Sequence, residues 1–308
     1  MTSLDNELGW LLAQEVFSVD GASYSWGDVL VSAELRGKLA ALVSATRHRL
    51  ASAEVSTPSP DAVREAGLRF RRERGLLSAE ELEAWLAHWH LSVADWTEHL
   101  RRTASNENVA GELAEVDAEL EKAAAVDAIC SGFLEYEAKR LASDASLAEL
   151  DASGDDRIAQ IAAAAASARA ALAASADVER EIDTRALEWT RIDAELLELA
   201  DLDAAREAAL CVRVDGLSLA EVAADCGIAV QRRELYLEEA ERERLTGLLG
   251  ANAGELVGPI EREGGFLLVH VHGRTRPSAG DPELRRRAQE YLVERASARA
   301  FEARVRWK

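Results

Sequence analysis

Cysteine is scarce in this 308-residue chain: Cys130, Cys211 and Cys226 are odd in number and far apart. No CxxC and no Cys/His ligand spacing occurs, which argues against a structural zinc site and for buried thiols in a reducing compartment. Positive charge is also in deficit. The formal net charge is −20, which disfavours sequence-independent binding to nucleic acid phosphates and suits plain solubility better than a specific cationic partner. No apolar run approaches the roughly 20 residues a membrane helix needs. The start, MTSLDNELGWLLAQEV, has no basic region ahead of its apolar residues and no small-residue cleavage site after them. These absences together predict a cytoplasmic protein with neither a membrane nor a nucleic acid partner. No GxGxxG, Walker loop, HExxH or GxSxG is present. Nothing supports nucleotide, zinc-protease or serine-hydrolase chemistry, and neither a cofactor nor a metal is expected.

What is present is the composition of a folded protein, 48% apolar and 30% charged, with length enough for two domains. Residues 1 to about 180 read as helical almost throughout. A short strand, Val16 to Val19, meets the turn Asp20-Gly21, after which Ser25 caps a helix with Asp28 three residues on. Ser59 is an N-cap with Pro60 at the first helical position, and Gly75 suits the end of that helix. Ser78 with Glu81, then Ser92 with Asp95, form two capping boxes. They predict a helix, a tight turn and another helix carrying Trp85, Trp89 and Trp96. Between Glu112 and Asp156 thirteen acidic residues face three basic ones. The Ala-rich segment Ile158 to Ala176 follows, either a connector or surface helix or one whose small residues allow close helix approach.

From Ala186 the pattern changes. It predicts a strand over Leu187 to Leu199 and a helix over Asp201 to Val214. A second helix covers Leu217 to Cys226, with Ser218 and Glu221 as its capping box. A strand at Arg233 to Leu237, a helix at Glu239 to Leu249 and a hairpin of Glu255 to Ile260 with Phe266 to His272 complete the order. A final amphipathic helix carries Leu284, Ala288, Tyr291, Leu292 and Val305, with eight basic against five acidic residues from Asp281 onward.

Four groups of residues invite functional readings. Trp85, Trp89 and Trp96 with Phe70 either line a groove for an apolar peptide or fill the helical core; Trp is rarely buried completely, so one of them should reach a surface. His88 and His90 lie two apart and point to different sides of a helix, so with His99 they read as solvated or capping rather than metal-binding. Arg69, Arg71, Arg72 and Arg74 can pair with acidic residues of a peptide partner or internally with the Glu112 to Asp156 block. Leu217 to Leu235 mimics a helix-turn-helix, but its basic density is too low for a phosphate footprint.

The run GELVGPIEREGGFLLVHVHGR, Gly254 to Arg274, resembles the C-terminal hairpin of parvulin-type peptidyl-prolyl isomerases. The order of elements across 187–274 resembles the parvulin domain, and Phe70 to Arg102 is similar to the helical chaperone domain of SurA-like foldases. Ile129 to Ala142 and Ala303 to Trp307 resemble a narrower set, parvulin-related peptide-maturation proteins of pathways that modify ribosomally made peptides. The resemblance implies an α+β chain: a SurA-like helical domain over 1–185, a small parvulin-like α/β domain over 186–276, and a C-terminal helix over 277–308 packing back on the N-terminal helices. It also marks departures. The family's two active-site histidines are missing. Trp189 and Arg191 stand near the first position and Leu267 at the second, while His270 and His272 share the face of Phe266 and Leu268, opposite Leu267. Cys226 falls on a helix, away from an active-site loop.

The implied function is therefore a non-catalytic, chaperone-like peptide-binding protein that holds a precursor or unfolded peptide. Its expected contacts are Trp85, Trp89 and Trp96 in the helical domain and Trp189, Tyr236, Phe266 and Leu267 on the sheet. Modifying enzymes or a homologous subunit are possible further partners, as is a homodimer. The rival readings are an active prolyl isomerase and a DNA-binding regulator.

Overall fold

The computed structural model describes residues 8–105, 118–148, 154–242 and 245–308. Parts of the acidic block, 112–117 and 149–153, lie outside the described residues. A short helix α1 (Gly9–Leu12) leads into the hairpin β1 (Glu15–Val19) and β2 (Ala22–Ser25). Helices follow: α2 (Trp26–Leu35), α3 (Lys38–Val55), α4 (Pro60–Glu73), α5 (Ala79–His88), α6 (Val93–Ala104), α7 (Ala118–Cys130), α8 (Phe133–Leu147), α9 (Arg157–Ala173) and α10 (Asp177–Thr184). The remainder alternates: β3 (Arg191–Leu199), α11 (Leu202–Arg213), α12 (Leu219–Asp225), β4 (Gln231–Tyr236) and α13 (Leu237–Arg242). A 3₁₀ turn (Thr246–Leu248), β5 (Leu256–Arg262), β6 (Gly265–Thr275), α14 (Pro282–Arg304) and β7 (Val305–Trp307) close the chain. The class is α+β with a helical domain. Two compact units result, Met1–Arg169 with Arg295–Lys308, and Ala170–Glu294.

The helix starts obey local chemistry. At Ser25/Asp28, Ser78/Glu81, Ser92/Asp95 and Ser218/Glu221 the serine oxygen accepts from the third helical N–H and the carboxylate accepts from the serine N–H. Each box satisfies two donors that a helix end would otherwise leave open. Ser59 accepts from Ala62 N–H, with Pro60 at the first helical position.

In the first unit a three-stranded antiparallel sheet, ordered β2-β1-β7, packs Phe17, Val19 and Val305 against Leu141, Ala142, Ile158 and Ile161. Val305 therefore sits on a strand and not on the terminal helix as its spacing suggested. Paired with Val19, it alternates with exposed Arg306, a period-2 pattern that helix counting misassigns. The Ala-rich α9 buries Ile158, Ile161 and Ala165, so one of its faces belongs to this core.

In the second unit the sheet is antiparallel, ordered β4-β3-β6-β5. One face sets Ile192, Ala194, Leu196, Leu267, Val269 and Val271 against the segment from Leu237 to Ala251. The other sets Leu197, Leu199 and Leu268 against α11 and α12. The period-2 alternation of β3 and β6 thus feeds two cores.

Three expectations need correction here. The first strand begins at Arg191, because Trp189 N–H donates to Arg185 O and Thr190 N–H to Leu187 O in a turn. Trp189 instead packs with Val178, Ile182, Leu284, Ala288 and Leu292. No continuous helix covers Glu239 to Leu249: α13 ends at Arg242 and a 3₁₀ turn follows. There Gly247 lies so close to β5 that a Cβ would stand 2.4 Å from Val257 Cγ1. Finally, the first half of α14 packs within the second unit, and the end of the chain, through Phe301 and Val305, joins the core of the first.

Candidate functional site

Helices α4 and α6 with the end of α7 enclose a cavity of about 630 Å³ in the first unit. Arg49, Arg69, Arg74, Phe70, His99 and Ser131 are among its lining residues. The guanidinium of Arg74 lies 4.1 Å from the centroid of the Phe70 ring and donates to Cys130 O at 2.5 Å. A volume of this size falls within the roughly 300–1,000 Å³ of small-ligand sites. Arg49, Arg69 and Arg74 share this lining with Glu65 and Glu73, and Arg49 is already held by Asp127, so Arg69 and Arg74 are the cations left to meet an anionic group.

Two of its lining residues, Arg49 and His99, belong to a buried ionic network. Asp127, fully buried, accepts from Thr46 Oγ1, Arg49 Nη1 and Arg102 Nη2, each at 2.9 Å, and from His99 Nδ1 at 2.8 Å. Burial alone would raise the Asp127 carboxyl. The His99 hydrogen bond and the charge of Arg102 outweigh it and hold the group far below the usual carboxylate range. As a carboxylate it can only accept, so His99 carries its hydrogen on Nδ1. The same burial, with the negative charge of Asp127 added, pushes the Cys130 thiol up to about 12. Cys130 is thus a protonated, inert lining group.

The tryptophans surround this region without sharing one surface. Phe70 takes Trp85 edge-on at 5.3 Å and Trp96 at 5.8 Å, and both indoles are half-buried. Trp89 is buried against Trp26 in a neighbouring core. The indole Nε1 of Trp96 is buried without a hydrogen-bond partner. Gly67 lets α4 approach here, since a Cβ would stand 3.3 Å from Leu100 Cδ1.

The four sheet residues are not brought together. Trp189 and Leu267 are buried in different cores. Tyr236 pairs with Arg191 at one end of β3 and lies under the Arg287 guanidinium, 4.4 Å away. Phe266 pairs with Leu199 at the other end. The strand spacing puts them about 26 Å apart along β3. On the face around Leu267, Ile192, Leu196, Leu245 and Leu248 are all buried, so Leu267 sits in solid apolar core.

The remaining readings resolve simply. His99, read as solvated or capping, is instead buried on Asp127, while exposed His90 stacks on Trp10 with ring centroids 3.9 Å apart. In the helix-turn-helix mimic, α12 is followed by strand β4 and not by a recognition helix, and Arg232 is held by Asp193. Sequence reasoning missed Asp127, Arg49 and Arg102, whose partnership joins three helices. It also missed Glu195, which with His270 and His272 brings metal-ligating atoms together on the sheet. Among the described residues no single helix is long and apolar enough to cross a membrane.

No known family model matches the sequence, and no curated protein matches it. Solved structures similar to it include a SurA-like chaperone of Campylobacter jejuni, at 10% identity over 96% of this chain and 98% of that one, with a TM-score of 0.22. PrsA of Bacillus subtilis is 10% identical over 92% and 90% of the two chains, with a TM-score of 0.25. The foldase PrsA of Lactococcus lactis is 9% identical over 93% and 87%, with a TM-score of 0.29. At such scores the whole chains do not superpose.

Proposed function

We propose that this chain is a non-catalytic, chaperone-like peptide-binding protein whose helical unit seats an acidic segment of an extended peptide. The observation that carries this reading is the arginine-lined cavity of about 630 Å³ between α4, α6 and α7. Arg69 stands exposed at it, and Arg49 and Arg74 are held in place by Asp127 and Cys130 O. Rigidly placed guanidinium groups bind carboxylates with little entropy lost. Phe70 and the flanking Trp85 and Trp96 supply apolar surface beside the charge. The buried apolar character of Leu267 and its neighbours supports the non-catalytic half of the proposal, since proline isomerisation by this fold would need polar groups there.

The resemblance of Ile129 to Ala142 and of Ala303 to Trp307 to peptide-maturation proteins supports a precursor peptide, presented to modifying enzymes in the cytoplasm, as the natural occupant. Cys130 and Ser131 of the first segment line the cavity itself. Edge pairing along β4, whose first four residues are exposed, is a second contact of the same reading.

Calorimetric titration with an unstructured, glutamate-rich peptide tests the proposal. Saturable binding that weakens with salt, and is absent for the lysine-rich counterpart, is expected. No heat with verified folded protein would remove it.

A further inference from the structure

On the face of the second sheet that carries Leu197 and Leu268, the end not packed by helices is polar. Glu195 of β3 pairs directly with His270 of β6. His272 lies two residues on, where the β3–β6 register shifts between Asp193 and Ala194 and leaves it opposite no residue of β3. Such a bulge re-aims one side chain while the ladder continues. His272 Nε2 stands 3.2 Å from Glu195 Oε2, and the rings of His270 and His272 meet edge-on with centroids 4.7 Å apart. One ligand atom from each of the three residues lies within 4.8 Å of the other two.

From this geometry we infer a zinc-binding site formed by Glu195, His270 and His272, independent of the peptide reading. Two imidazoles and one carboxylate are a donor set that zinc favours, and the ion bonds nitrogen and oxygen at roughly 2.0–2.2 Å. Tetrahedral donors then stand about 3.4 Å apart, close to the present Glu195–His272 separation. His270 reaches the same ion by rotation of a half-buried side chain. Arg232 of β4, paired with Glu195, is a cation that opposes this; Asp193 takes it through two hydrogen bonds of 3.0 and 2.6 Å, which offsets its charge. Three protein ligands leave a fourth position, on the solvent side of exposed His272, open to water or to a donor group of a bound molecule.

A simple ion pair between His272 and Glu195 has no use for His270, and this separates the two accounts. Full-length protein freed of metal is titrated with zinc in a calorimeter, alongside His270→Ala, Glu195→Ala and the remote His90→Ala. One ion per chain at micromolar or tighter affinity is expected. Because loss of a mere outer-shell partner weakens metal sites about 10–100-fold, loss of either ligand should weaken zinc by at least ~100-fold, with His90→Ala unchanged. Cobalt(II) bound in its place should show the intense visible bands of a four-coordinate ion. Absence of zinc binding by the intact chain, equal affinity in His270→Ala, or a cobalt spectrum like that of the hydrated ion would each overturn the assignment. Circular dichroism of each variant confirms folding, which these partly exposed positions should leave intact.

Discussion

Asp127 receives the Nδ1 hydrogen of His99 at 2.8 Å, and Arg49 and Arg102 close on the same carboxylate. One buried anion thereby ties α3 and α6 to α7. Removing it leaves buried Arg102 with only Glu98, 3.7 Å away, and half-buried Arg49 without its carboxylate, a broken buried ion pair of the strongly destabilising kind. Asp127→Ala should lower unfolding free energy by about 3–5 kcal/mol, read from urea denaturation at neutral pH.

The same group gives a pH dependence of defined sign. Its folded pKa lies below its unfolded one, so its stabilisation is complete above the unfolded carboxylate range near pH 4 and is lost as pH falls below it. Denaturation curves from neutral pH down to about pH 3 should show the wild type losing stability faster than Asp127→Ala across the acid limb. Parallel limbs would contradict the assignment of Asp127 as the ionised centre.

Placing a histidine at position 267 should not create an isomerase. Leu267 is fully buried among Ile192, Leu196, Leu245 and Leu248. Leu267→His exchanges apolar burial for an unpaired imidazole, a loss of about 3–5 kcal/mol. A protease-coupled isomerisation assay should stay at background while the denaturation midpoint falls.

Gly258 makes the approach of β5 to β6 possible. Its φ is +114°, and a Cβ would stand 2.6 Å from Leu267 O. Gly258→Ala should therefore cost about 2 kcal/mol or more, from strain and from displacement of the strand pair. Thermal unfolding of the variant measures it.

Arg69 separates the peptide proposal from a purely structural cavity. Arg69→Glu places a carboxylate at an exposed lining position and should weaken a glutamate-rich peptide at least about tenfold while flattening the salt dependence. Arg180→Glu, on the surface of the other unit, should leave affinity unchanged.

The sequence made legible what is decided within a few residues. The four Ser-x-x-Glu/Asp boxes at Ser25, Ser78, Ser92 and Ser218 set helix starts, and the Gly-Pro hairpin with its alternating strand determined which face Leu267 takes. Trp189 went astray because a turn from Arg185 to Thr190 delays the strand to Arg191, and only tertiary packing on α14 shows where the indole goes. Val305 misled because a terminal β-pair with Val19 is invisible in helical counting. The Asp127 network and the Glu195–His270 pair depend on long-range partners that no spacing rule reaches.

The central claim, peptide binding without catalysis, is tested most directly by exchange NMR on one glutamate-rich peptide containing a single proline, with and without the full-length protein. Shifted peptide resonances report binding, and cis–trans cross-peaks report the isomerisation rate of the same molecules. The account predicts shifts that saturate with protein while the exchange rate stays at its uncatalysed value of tens to hundreds of seconds. Accelerated exchange, or resonances that do not move, would contradict it.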